Sequence, residues 1–172
     1  MGQGHTFSSL KLITRGDGAG GIHASVIEEN TFLDIVGTTY GVDAPLFFLS
    51  GEINTLNNID GETYGANSPA YDFNRANYNI VIGSDVFSHS NSHCLFLSRS
   101  SLNELSLSNF KSDGQFNSDC FYFGLGPSRE NILRESQIQA LYGSAYNLAM
   151  GNDNSIDLIN THLLGENSFL FL

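Results

Sequence analysis

The feature that most constrains this chain is a run of apolar residues at helical spacing near its end. Ile138, Leu141, Tyr142, Ala145 and Leu148 fall at i, i+3, i+4, i+7 and i+10, a single stripe at a period of 3.6. Asn131 or Ser128 stands where an N-cap is wanted, and Gly151 stands where a left-handed residue closes a helix. The pattern predicts an amphipathic helix over about 131–149. A helix of that length is marginal alone and needs a sheet to lie against.

Everything before it reads as short strands and polar turns. Alternating or continuous apolar runs predict strands over 6–14, 22–27, 31–39, 45–51, 79–82, 94–98, 102–110 and 120–125. The glycine-rich stretch from Arg15 to Gly21 predicts a tight reversal, and Asp113-Gly114 predicts a hairpin turn. Thirteen Phe, seven Tyr and no Trp suit a sheet-on-sheet core. These features predict an antiparallel, all-β sandwich with one C-terminal helix. No internal repeat is read. The organisation expected is a domain over 1–150, including the helix, and an extension over 151–172 that completes the sheet or contacts a neighbour.

Only 15% of residues are charged, and acids outnumber bases 18 to 7, a net charge of −11. That balance repels phosphate backbones and anionic lipid, so no nucleic-acid partner is expected. The first residues carry no charged n-region and no apolar core, and no apolar run reaches the ~18 residues of a membrane span. Neither a Sec signal nor membrane insertion is expected. Cys94 and Cys120 are read as reduced, partly buried thiols.

The run Leu133-Arg134-Glu135-Ser136-Gln137-Ile138-Gln139-Ala140-Leu141-Tyr142 resembles the closing helix of concanavalin A-like, laminin G-type jelly rolls. The preceding Phe121-Tyr122-Phe123-Gly124 resembles the strand that enters that helix, and Ser98-Arg99-Ser100-Ser101 resembles an upstream strand start. Arg134 departs from the pattern, where the family has a Thr, Ser or Asp cap. The resemblance implies an antiparallel two-sheet jelly roll, used for binding glycans or proteins and for building virion appendages. The function expected is a non-enzymatic virion structural or adhesion protein, made in the host cytoplasm and assembled with copies of itself and other virion proteins. The alternatives are a glycan- or receptor-binding lectin module outside a virion, exported by a non-Sec route, and a divergent glycoside hydrolase.

Candidate sites follow from residue chemistry. Tyr64, Asn67, Tyr71, Asn74 and Tyr78 lie in or beside the polar stretch 54–77, where rings stack on sugars and amides bond hydroxyls. They are the expected contacts for a host surface glycan. Asp153, Ser155 and Asp157 alternate as calcium ligands would, although the EF-hand glycine and glutamate are lacking. Phe169, Leu170, Phe171 and Leu172 form an apolar end suited to the last strand or to a neighbour's edge. His89, His93 and Cys94 have zinc-ligand chemistry without an evident fourth ligand, and the two histidines are read as surface residues in a Ser/Asn loop before a strand. Arg15-Gly16-Asp17 is read as a turn. No two carboxylates share one strand face at hydrolase spacing.

Overall fold

In the computed structural model, residues 3–114, 119–123, 126–142, 146–147 and 151–163 are described. The chain winds as a parallel β-solenoid. The first coil holds β1 (Thr6–Ser8), β2 (Lys11–Thr14) and β3 (Ile22–Glu28). The second holds β4 (Thr31–Thr39) and β5 (Phe47–Glu52), and the third β6 (Thr55–Thr63) and β7 (Tyr71–Asn77). The fourth holds β8 (Ile80–Ile82), β9 (Asp85–Ser88) and β10 (Leu95–Ser98). The fifth holds β11 (Glu104–Ser106), β12 (Asn109–Ser112), β13 (Phe121–Phe123) and β14 (Ser128–Arg129). The sixth holds β15 (Ile132–Ala140), β16 (Tyr146–Asn147) and β17 (Gly151–Asn152), and β18 (Ser155–Leu163) opens a seventh.

Two sheets run the length of the rod. One stacks β3, β5, β7, β10, β13 and β16; the other runs from β1 and β2 through β4, β6, β8 and β9, β11 and β12, and β15 to β18. Every described pairing, that of the short β14 and β17 included, is parallel. The antiparallel jelly roll is therefore overturned. So is the closing helix: residues 132–140 are a strand, and no helix occurs among the described residues.

The stripe that suggested a helix starts at Ile138 on β15 and runs off the strand after Ala140, so Leu141 and Tyr142 already lie beyond it; upstream, the strand carries a bulge. Glu135 has a positive φ of 50°, and the register against β18 shifts at that point. This bulge moves the inward side chains from a spacing of two to a spacing of three, so Leu133, Ser136, Ile138 and Ala140 are all buried. Tyr142, assigned to the buried stripe, is exposed, and Leu141 is half-buried. Ala145 and Leu148 lie outside the residues whose side chains are described. The same bulge recurs at Ser9, Asp34, Asn58, Gly83 and Leu107, all at positive φ.

A repeat exists, contrary to the reading of none, and asparagine marks it. Asn30, Asn54, Asn79, Asn103 and Asn131 stack inside one corner, each using its backbone N–H and side-chain amide to reach the Oδ1 of the next, ending on Asn154. The steps along the chain are 24, 25, 24, 28 and 23 residues. Each of these asparagines follows a left-handed non-glycine residue: Glu29, Ile53, Tyr78, Leu102, Glu130 and Asp153. Such residues cost on the order of 1 kcal/mol or more apiece, and the amide network offsets that cost at every coil.

The core lies between the two sheets. One inward column runs Phe47, Tyr71, Leu95 and Phe121; another runs Phe32, Leu56, Val81, Leu105 and Leu133, all buried. Leu46 fills space left by two glycines of the facing sheet. A Cβ on Gly37 or Gly61 would lie 2.3 or 2.0 Å from its methyls. Cys94 and Cys120 are stacked, buried, free thiols with sulfurs 3.2 Å apart, and burial pushes the Cys94 thiol well above its ordinary pKa.

Candidate functional site

Parallel, in-register stacking turns each outward position into a column along the rod. Aromatic residues in such a column lie face to face. Along one corner, the Arg15 guanidinium sits 5.2 Å over Tyr40, Tyr40 stacks on Tyr64 at 5.1 Å, and Tyr64 stacks on His89 at 4.3 Å. Asp113 closes the column through a 2.9 Å contact with His89 Nδ1. The Tyr64 hydroxyl donates to Glu62 at 2.5 Å, and that bond to a carboxylate pushes its pKa up to about 12. Both faces of the Tyr64 ring are taken, so only its edge meets solvent.

A second outward column runs along the six-stranded sheet as His23, Phe48, Asp72, Phe96 and Tyr122. His23 stacks on Phe48 at 4.4 Å, and Phe96 stacks on Tyr122 at 5.4 Å. Between the two stacked pairs the column carries Asp72 instead of a ring. This break in the column is the notch: Phe48 lines the pocket on one side of Asp72 and Phe96 the pocket on the other.

Two pockets meet at Asp72. One, of 190 Å³, is lined by Asn67, Pro69, Asn91, Ser92, His93 and Phe96 together with Asp72. The other, of 430 Å³, includes His23, Asp43, Phe48 and the turn Gly18 to Gly21. Asp72 Oδ1 and Ser92 Oγ are buried without a hydrogen-bond partner among the described residues. Desolvation pushes the Asp72 carboxyl up to about 6, partly offset by His23. Burial holds the His93 imidazole below its ordinary value, against the opposing pull of Asp119.

Serine, histidine and aspartate thus share one pocket, but not in a proton relay. His93 Nδ1 bonds the Asp119 carbonyl at 3.1 Å, and its ring stacks on Tyr122 at 4.7 Å. Ser92 Oγ has no partner, so no base is positioned on that hydroxyl. The notch offers acceptors and ring faces.

The five predicted sugar contacts do not form one site. Asn67 lines the notch pocket, and Asn74 is half-buried on the same outward face as Asp72. Tyr71 points inward, fully buried, with its hydroxyl donating to Ser84 at 2.8 Å, and burial raises its pKa. Tyr78 is exposed at a left-handed corner, and Tyr64 belongs to the other column. The polar stretch they occupy is no loop, because β6 and β7 cover most of it. Asp153 is exposed at a corner, with Ser155 and Asp157 following on β18, where Asp157 stands in register with Arg134. No group of three His, Cys, Asp or Glu suited to a metal occurs among the described residues. Phe169 to Leu172 lie outside the described residues.

Residues that a linear reading missed are those brought together from successive coils. Asp72, Phe48, Phe96 and Ser92 are one example. Another is a 390 Å³ pocket on the opposite sheet holding Asp60, Glu62, Asp85 and Lys111. Asp60 and Asp85 stand in direct register on adjacent strands, a carboxylate pairing that a search along single strands cannot find. Both are exposed, and Lys111 Nζ lies 3.3 Å from Asp85. The general acid of a glycosidase works from a desolvated pocket, whereas both of these carboxylates are exposed. Comparison with known families, characterised proteins and solved structures finds no match.

Proposed function

We propose that this chain is a non-enzymatic adhesion rod, a rigid solenoid of the kind a virion or other particle displays, which recognises its target at the Asp72 notch. The observation that carries the reading is the break in the outward aromatic column: a desolvated carboxylate with an unpartnered oxygen between two ring faces. Structure-stabilising groups are ordinarily satisfied, and a perturbed carboxyl in a cleft marks a functional site. The internal asparagine column supports the rod, since it holds successive coils in one register and so keeps the notch walls at a constant separation. The carboxylate pair on the opposite sheet is open to water, which favours binding over hydrolysis.

The test is retention of arrayed peptides and glycans by the full chain and by a Phe48→Ala/Phe96→Ala variant. The reading expects saturable retention that the variant loses while its circular dichroism stays unchanged. Retention that ignores both substitutions removes the notch from the function. A retained ligand found chemically altered by mass spectrometry makes the chain an enzyme.

A further inference from the structure

We propose that the Asp72 notch binds a guanidinium group, the head of an arginine side chain, which enters as an additional layer of the column between Phe48 and Phe96 and sets its N–H edge on the Asp72 carboxylate. This rests on the reading of the notch as the recognition site and names what it takes.

Spacing is the first argument. Phe48 and Phe96 belong to strands one step either side of Asp72, so their rings are about 9.5 Å apart, twice the strand spacing. A planar group midway lies at roughly 4.8 Å from each ring. That matches the distances already used along the rod, 4.4 Å for His23 on Phe48 and 5.4 Å for Phe96 on Tyr122. His23 covers one face of Phe48 and Tyr122 one face of Phe96, with the His93 ring 6.2 Å from Phe96 and stacked under the same Tyr122.

Charge is the second argument. Asp72 and Asp43 line the pocket on the Phe48 side, and the described residues lining both pockets include no lysine or arginine. A desolvated carboxylate is stabilised by a cation that also donates hydrogen bonds. A cation between two ring faces gains from their negative quadrupoles as well. Guanidinium meets these requirements together: it is planar, always charged, weakly hydrated, and presents paired N–H donors that match a carboxylate. The rod already contains a guanidinium stacked on a ring, Arg15 on Tyr40, at 5.2 Å. The unpartnered Ser92 Oγ and the Asn67 amide supply acceptors for the remaining N–H groups or for the peptide that carries the arginine. The net charge of −11 draws basic partners toward the rod.

The experiment is a titration of the full-length, ¹⁵N-labelled protein with N-acetyl-arginine amide, followed by amide chemical shifts. Neutral N-acetyl-citrulline amide, N-acetyl-lysine amide and methyl β-glucoside are the comparison probes. Saturable shifts are expected at residues 45–48, 67–72 and 91–96. Citrulline should bind at least tenfold more weakly than arginine, and lysine several-fold more weakly. Asp72→Asn should weaken arginine binding at least tenfold, and Phe96→Leu several-fold, with both variants keeping the dispersed spectrum of the parent. Equal binding of arginine and citrulline overturns the cation. Shifts centred on Asp60 and Asp85 move the arginine to the wrong sheet and also overturn it. Binding of the glucoside alone at the notch ends the guanidinium proposal but leaves the notch as the recognition site. No shift at the notch with any probe removes both.

Discussion

Asp72 carries a desolvation cost that His23 relieves only in part. Its folded pKa, about 6, lies above the ordinary 3.8, so the folded chain holds a proton there over a range in which the unfolded chain has lost it. Above pH 6 the desolvated carboxylate destabilises the fold in full; the penalty shrinks as pH falls through 6 and is gone below about 3.8. The upper bound is about 3 kcal/mol. Asp72→Asn is therefore expected to raise urea stability at pH 7 and to keep only about half of that advantage at pH 5. An advantage of equal size at both pH values would show that Asp72 is adequately solvated. Asn103 is the opposite case. Its Oδ1 accepts from the backbone and side chain of Asn79, and its Nδ2 donates to Ala76 and Asn131. Asn103→Ala strands several buried groups and is expected to cost about 3 kcal/mol or more in urea unfolding. A loss under about 1 kcal/mol would mean that water replaces the amide.

Strands in this fold take their inward residues from a period of two interrupted by a bulge. Over β15 the interruption sets the inward Leu133 and Ser136 three apart, because Glu135 takes a left-handed backbone between them; the helix-like stripe is a separate coincidence, starting at Ile138 and leaving the strand after Ala140. Although β6 and β7 lay in a stretch read as polar loop and β15 in one read as helix, strands with clear apolar runs, such as β4, β5 and β10, were legible. Their pairing was not. A strand with one buried face alternates identically whether its neighbour runs parallel or antiparallel, and Asp113-Gly114 spells a hairpin although β12 and β13 lie in different sheets. Between the sheets, Leu46 enters the space over Gly37 and Gly61 and leaves no room for a side chain at either. Gly61→Ala alone is expected to cost about 2 kcal/mol by overpacking. In a Leu46→Ala background the same change should cost less than about 1 kcal/mol, since the obstructing methyls are gone. Additive losses in the double variant would place the strain elsewhere, in the Gly37 carbonyl that lies 3.1 Å from the added Cβ.

A solenoid is held by neighbouring coils, so its length is adjustable where its sequence is not. Removing residues 80–103 joins Asn79 to Glu104 and leaves the asparagine column continuous, with the strands of the third coil meeting those of the fifth. The shortened chain is expected to keep a β circular dichroism spectrum and one unfolding transition, at a lower midpoint. A featureless coil spectrum would mean that the fourth coil nucleates the rest. The deletion also sets Tyr122 where Phe96 stood, so the notch keeps two aromatic walls. By itself the sequence determined that this is mostly a strand-building chain and that its net charge is acidic; backbone sterics and side-chain polarity act locally and leave those marks in order along the chain. Only the tertiary structure decided that the strands stack parallel and that an asparagine recurring every 23 to 28 residues is a column. It alone sets Asp72 between Phe48 and Phe96, because contacts between coils join residues whose separation leaves no local trace.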